Sequence, residues 1–465
     1  MLVALVALYI ALSVAVGLYA ATRVRSASDF AVAGKRFGAP IVAATVFATW
    51  FGAETVLGIP ATFLKEGLRG LVADPFASVG CLLLVGLVFA RPLFRLDVLT
   101  LGDFLRQRFD RKTDVAVSLC IAFSYLGWIA AQFVALGLVF EVLSNGAIDV
   151  RTGIVAGAAI VLVYTMAGGM WSVALTDFLQ AVMIIAGLGY VAWVVGDLAG
   201  GPARVWESVA STDKLRLLPE ADAKSILAWV SAGLIVFFGS VPQQDVLQRI
   251  KSARDERTAV VGSVAGGIVY FFVALVPIFL VLSAALIDAP MVARLVEKDY
   301  QLILPTLIID RTPLAVQALF FGALVSAILS TAGGALLAPA VVIAENVVRP
   351  LAKPATDAAV LGIMRATVLL LAIAVTVMAL TSKLSIYQLV NESGKVVLVS
   401  SFVPLIAGLF WKRATVLGAH ASILTGLAVW IAMELVAADA PVPPALSGLI
   451  ASAAAMAAGS LVKRR

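Results

Sequence analysis

Two hydroxyl-bearing residues, Ser330 and Thr331, lie three and four positions after Ala327 inside a long apolar run. On a helix that spacing stacks both hydroxyls beside the Ala327 carbonyl. Three oxygens then share one face with a residue too small to hold a neighbouring helix away. Coordination by oxygens alone is how proteins hold hard monovalent cations. Further oxygens can come from Phe47-Ala-Thr-Trp-Phe-Gly-Ala-Glu-Thr-Val-Leu-Gly-Ile-Pro60, an apolar run interrupted by small residues, a carboxylate and a proline. Unwinding there frees main-chain carbonyls, and those of Ala48 and Phe51 are the candidates. The alternative is that Ser330 and Thr331 bond back to their own helix, which is common in membrane spans.

Other residues suit the handling of a solute. Trp50 and Trp128, the latter in Tyr125-Leu-Gly-Trp-Ile-Ala-Ala-Gln132, fall well inside apolar runs rather than at their ends. They can wall a pocket and offer a cation–π surface, or serve only as packing. Glu54 lies in the first interruption, and Gln243, Gln244 and Asp245 follow a second, Phe237-Phe-Gly-Ser-Val-Pro242. Glu392 and Lys395 stand three apart, either neutralising each other or meeting a zwitterionic or carboxylate solute. Asp177, one turn before Gln180, is an interfacial carboxylate if shallow and part of a cation route if deep.

These residues need a membrane scaffold. The chain has 465 residues, 62% hydrophobic and only 13% charged, more apolar surface than a soluble fold can hide. Runs of about 20 apolar residues fall near 2–20, 39–61, 72–91, 114–143, 151–167, 174–198, 226–247, 257–285, 312–346, 360–382, 386–410, 415–437 and 443–462. The expectation is an all-α polytopic protein with about thirteen transmembrane helices, forming one domain over 1–465. A helix broken in mid-membrane survives only where it lines a protected cavity. Two breaks in matching positions point to the solute and ion site of a secondary transporter.

The breaks fall in spans two and seven, five apart. A five-span period gives two inverted repeats, 38–198 and 226–411, with one extra helix before them and two after. Gly168-Gly169 marks the turn between spans five and six, and the polar segment 286–311 reads as an external cap. Basic residues cluster after spans one, three, seven and eleven and at Lys463, Arg464 and Arg465. Arg249 and Lys251 belong to the third of these clusters. The pattern sets the amino terminus outside and the carboxyl terminus in the cytoplasm of a bacterial-inner-membrane-type plasma membrane. The loop at 199–225, with Arg204, Lys214, Arg216 and Lys224, runs against the rule without reversing it.

The net charge of +6 is thus a topology signal, and no basic stripe with interleaved aromatics suggests nucleic acid. No His-Glu-x-x-His, Gly-x-Ser-x-Gly or phosphate-cradling glycine loop suggests an enzyme. Cys81 and Cys120 lack redox or metal spacing, and the single histidine, His420, reads as a structural contact.

Taken together, several stretches resemble the sodium/solute symporter family, over about residues 28–435. They are Phe30-Ala-Val-Ala-Gly34, Tyr164–Gln180 with Gly168-Gly169 and Thr176-Asp177, Gln248-Arg249, and Ala327-x-x-Ser330-Thr331. The resemblance implies a LeuT-type fold and sodium ligands at Ala48, Phe51, Ala327, Ser330 and Thr331, with Asp177 on the sodium exit path. Within the family the chain is similar to the high-affinity choline transporter branch. Thr49-Trp50-Phe51-Gly52, Phe89-Ala-Arg-Pro92, Ile303-Leu-Pro305 and Met364-Arg-Ala-Thr367 carry that likeness. Trp50 and Trp128 match two caging aromatics of that branch, while Gln243 replaces the third and removes a cage wall. Gly333 stands where many relatives carry an acidic residue. The implied function is a monomeric, sodium-coupled symporter that imports a small amine, amino acid or carboxylate by alternating access. Glu54, Gln243, Gln244, Glu392 and Lys395 join the tryptophans as its candidate solute contacts. A proton-coupled carrier using Glu54 or Glu392 is one alternative. A solute sensor is another, which the short basic end of the chain disfavours.

Overall fold

A computed structural model describes residues 1–462; Lys463, Arg464 and Arg465 lie outside the described residues. The described chain folds into thirteen helical spans and no strand. Four of the spans are easily missed as separate units. The second runs as Ala39–Trp50 and resumes over 54–66, and the seventh as Ala223–Phe237 and Gln244–Ser252. The fifth and sixth share Val150–Leu198, which Gly169 breaks at φ 50°. A side chain there would drive into the Phe30 carbonyl and ring, so the sharp turn requires glycine.

The long helices start where the sequence supplies a cap. Asp110, Asp149 and Asp255 each accept from the backbone N–H of a threonine three residues on, at 2.8, 3.1 and 2.7 Å. Each such cap contributes about 0.5–2 kcal/mol by satisfying an N–H that helix geometry leaves unpaired. Apolar residues cover the outside, among them Leu87, Phe123, Trp193, Phe272, Leu370 and Leu424. Such a surface is stable in lipid and costly in water.

Span nine, Leu314–Val342, lies at the centre, packed against Ala39–Trp50, Arg111–Leu143 and both arms of Val150–Leu198. Its residues from Phe320 to Val342 are all buried. The last two spans, Val416–Val436 and Pro444–Leu461, pack chiefly on each other at the periphery. The segment expected as a cap forms two short helices, Ala289–Lys298 and Ile303–Arg311. Between them Gln301 accepts from the Ile386 N–H, and the Lys65 ammonium lies 3.9 Å from the centre of the Tyr300 ring.

One part of the charge pattern needs correction. Arg249 and Lys251 are not loop charges: both are 1% exposed, within the second arm of span seven. Lys251 donates to the carbonyls of Phe94 and Leu96, and Arg249 belongs to a buried network described below. His420 meets Asp110 at 3.1 Å, a structural contact as expected.

Candidate functional site

The first break begins at Phe51, whose φ of −90° and ψ of 77° end the helix. In an unbroken helix the Gly52 N–H would reach the Ala48 carbonyl, and no such bond forms among the described residues. The Ala53 N–H is taken up by Gln132 Oε1 at 3.0 Å. The same amide donates to Glu54 Oε2 at 2.8 Å, and Trp128 Nε1 donates to Glu54 Oε1 at 2.9 Å. A Cβ at position 52 would overlap the Glu54 carboxylate, so only glycine lets this side chain fold back over the break. Span four thus holds the break open, satisfying backbone and carboxylate together as a lipid environment demands.

Span nine faces this break. Thr331 Oγ1 lies 3.5 Å from the freed Ala48 carbonyl. Ser330 Oγ and Asp177 Oδ1 are buried beside each other, and neither makes a hydrogen bond of good geometry among the described residues. Buried oxygens without partners are costly and rare. Asp177 Oδ2 accepts from the hydroxyls of Thr45 and Thr49, the latter at 3.3 Å. Asp177 is therefore fully buried inside the protein. Ala327 is fully buried one turn before the hydroxyl pair.

The second break runs from Phe238 to Gln243. Asp245, in the first turn after it, is fully buried. Tyr125 donates its hydroxyl proton to Asp245 Oδ1 and accepts from the Asp245 N–H at 2.9 Å. Trp50 Nε1 donates to Asp245 Oδ2 at 3.3 Å. Arg249, one turn on, donates to the Asp245 carbonyl at 2.8 Å, to the Thr45 carbonyl at 3.3 Å and to the Thr49 hydroxyl. Its guanidinium also lies 3.9 Å from the Asp245 carboxylate. Thr49 thus accepts from Arg249 and donates to Asp177, joining the two broken spans to span six.

A cavity opens between the two breaks. Trp50, Glu54, Trp128 and Gln243 line it, as the sequence suggested. Three other candidates do not. Gln244 is consumed by the backbone, accepting from the Leu101 N–H at 3.1 Å and donating to the Leu99 carbonyl at 3.0 Å. Lys395 points to Glu434 of span twelve at 3.1 Å and to Glu392 at 2.7 Å. Glu392 itself is 55% exposed. The helix turn that puts Asn391 and Gly394 on the cavity puts these two charges on another face.

The sequence reading missed Asp74, Tyr270 and Tyr387 on the cavity wall. Tyr270 donates its hydroxyl to Asp74 Oδ1, and Thr55 Oγ1 lies 3.4 Å from Asp74 Oδ2. Asp74 did carry a signal, a carboxylate at the head of an apolar run. Among the described lining residues are two carboxylates, four aromatics and several amides and hydroxyls, with no lysine, arginine or histidine. Donors to the two carboxylates are all neutral: tryptophan, glutamine, tyrosine and threonine.

The same fold occurs in a Na+-coupled sialic acid symporter solved in a substrate-bound outward-open state. The TM-score is 0.84 at 18% identity, covering 100% of this chain and 98% of that one. A nucleobase-cation-symport-1 family transporter in a closed conformation aligns with a TM-score of 0.64 over 92% of this chain and 93% of its own. These likenesses show the LeuT-type fold. In sequence the chain is 26% identical to the human high affinity choline transporter 1, over 92% of this chain and 75% of that one. It is also 26% identical to the osmoregulated proline transporter OpuE of Bacillus subtilis, over 97% and 92%. The sodium:solute symporter family model matches residues 30–426. A multi-pass membrane protein with this fold and this match across most of its length belongs to the sodium:solute symporter family.

Proposed function

We propose that the solute carried by this sodium-coupled symporter is a small organic cation, held in the cavity between the two broken spans. The observation that carries this reading is the pair of carboxylates, Glu54 and Asp74, facing one cavity with no basic residue on its wall. A buried charge without a counter-ion is costly, and a cationic solute offsets that cost. The aromatic rings of Trp50, Trp128, Tyr270 and Tyr387 add a cation–π surface. A carboxylate solute would meet like charge there. The choline transporter among the relatives is consistent with a cationic solute, whereas the proline transporter shows that the family's solutes vary.

Sodium is the second cargo. The proposed ligands are the carbonyls of Ala48, Phe51 and Ala327 with the hydroxyls of Ser330 and Thr331, and Asp177 is proposed as its next partner on the way out. The unpartnered Ser330 and Asp177 oxygens support this, being groups that a cation would satisfy. The repeats over 38–198 and 226–411, a monomeric unit and an external amino terminus complete the proposal.

The test uses purified protein in liposomes under separately imposed sodium and proton gradients. An inward sodium gradient should drive uptake of at least one small amine, and Glu54→Gln should abolish it. Uptake restricted to carboxylates refutes the cation reading. Uptake driven by protons alone and lost in Glu54→Gln supports the proton-coupled alternative.

A further inference from the structure

We infer that the cavity selects cations bearing N–H donors, such as protonated amines, amidinium or guanidinium groups, over quaternary ammonium, and that Asp74 sets this preference. The inference rests on the reading of the solute as an organic cation. The two classes share a charge and differ in one respect: a quaternary ammonium has no proton to donate. Aromatic faces attract both alike, because the attraction is between a charge and a ring quadrupole. Selection between them must come from acceptors that need a proton.

The cavity has such an acceptor. Both Glu54 oxygens already take a short bond, from Trp128 at 2.9 Å and from Gln132 at 2.8 Å. Asp74 is served unevenly. Its Oδ1 takes the Tyr270 hydroxyl, while Oδ2 has Thr55 at 3.4 Å, beyond the usual range for an O–H donor, and the Ser78 hydroxyl beside the carboxylate is shared with the Ala73 carbonyl. Asp74 Oδ2 is therefore the least satisfied carboxylate oxygen on the wall. Its chain position is fixed by other contacts, since Tyr270 and Thr55 also meet each other at 3.3 Å. The carboxylate cannot swing away to find water without breaking that cluster.

The rest of the lining carries more acceptors. Ser240 and Gln243 come from the second break, and Asn391 and Ser393 from span eleven. Ser393 donates its own proton to the Leu389 carbonyl at 2.7 Å, which leaves its lone pairs as acceptors. An N–H cation in the cavity can donate to Asp74 and to such groups, replacing the water it loses with charge-assisted bonds. A quaternary ammonium strips water from the same oxygens and returns nothing.

A ladder of four cations with one charge each and successively fewer N–H groups tests this: ethanolamine, its N-methyl and N,N-dimethyl derivatives, and choline. The full chain is titrated with each in sodium buffer, reading the shift in thermal unfolding. Apparent Kd should rise along the ladder, by at least about tenfold from ethanolamine to choline, the worth of one charge-assisted bond. In Asp74→Asn the ladder should flatten to within about twofold, with sodium-induced stabilisation retained as the control for folding. Asp74→Ser replaces it should the asparagine variant not fold. Choline binding as tightly as ethanolamine overturns the inference while leaving the organic-cation reading intact. A full ladder persisting in the folded variant overturns the assignment to Asp74. If none of the four shifts unfolding, the organic-cation reading fails and takes this inference with it.

Discussion

Replacing Ser330 and Thr331 by alanine isolates the proposed sodium site, because the structure assigns these hydroxyls almost no other work. Ser330 Oγ lies beside Asp177 without a hydrogen bond of good geometry among the described residues, and the contact of Thr331 Oγ1 with the Ala48 carbonyl is long at 3.5 Å. Removing an unsatisfied buried hydroxyl is close to neutral for stability. Removing a ligand to a cation is not. Interactions with a charged partner contribute about 1.5–3 kcal/mol each, so two together correspond to about 10²–10⁴ in sodium affinity. Two assays read this. Half-saturating sodium for solute uptake into proteoliposomes should rise by at least about a hundredfold. Stabilisation by sodium should fall in parallel: at about 100 times Kd it is worth about 2.7 kcal/mol, and a hundredfold loss of affinity reduces it to about 0.4 kcal/mol. A folded double variant with unchanged half-saturating sodium and an unchanged thermal shift would refute the assignment.

Three further outcomes follow from other contacts. Arg249→Met should destabilise by about 3–5 kcal/mol by stranding the buried Asp245 carboxylate, and adding Asp245→Asn should recover part of that loss; strict additivity in thermal unfolding would show the two groups are not coupled. Glu392→Gln and Lys395→Gln, which lie off the cavity, should leave the apparent solute Kd unchanged in the same thermal-shift titration, and a loss of solute binding would return both residues to the site. The Arg311 hydrogen bond to Asp288 holds that carboxyl below its ordinary 3.8. Its contribution is therefore complete well above 3.8 and lost as pH falls below it, so the exchange protection factors of Ala289–Lys298, corrected for the intrinsic pH dependence of amide exchange, should fall in acid, and Arg311→Gln should reduce that fall.

Span number and both breaks were legible because their signals are local. A run of apolar residues needs only its own length to be recognised, and Gly52 and Pro242 interrupt such runs visibly. Trp50, Glu54, Trp128 and Gln243 lie within or beside the breaks or in the span opposite, and all reach the cavity. What stayed hidden depends on which face a helix turns inward. Glu392 and Asn391 are neighbours in sequence, yet a rotation of about 100° per residue separates solvent from cavity. Arg249 and Lys251 carried the signature of a cytoplasmic loop, and only tertiary packing shows two buried cations. Gln244 looked like a solute ligand because nothing in the sequence reveals that the Leu99–Leu101 backbone needs its amide. Tyr125 and Tyr270 gave no signal, since a tyrosine inside an apolar run reads as packing until its hydroxyl finds a carboxylate.

How sodium and solute influence each other follows from seven consecutive residues. On the proposed assignment Ala48 and Phe51 serve the ion, and Trp50 and Glu54 wall the solute cavity. Thr49 meanwhile links Arg249 to Asp177. No helix can rotate one of these groups without moving the others, because only the turn at Phe51 and Gly52 separates them. The Trp50 indole is tied to Asp245 and the Glu54 carboxylate to Trp128 and Gln132, so a shift of the first arm is felt in spans four and seven. Span nine holds no residue of the cavity wall, yet it faces the carbonyl that the break exposes. A cation gripped between span nine and Ala48 would therefore fix the arm that carries Trp50, and a solute resting on Trp50 and Glu54 would fix the carbonyl that holds the cation. Each ligand then favours the conformation the other needs, and by linkage the two effects are equal in size. The coupling requires no contact between sodium and solute, only a helix too short on either side of its break to let the two sites move apart.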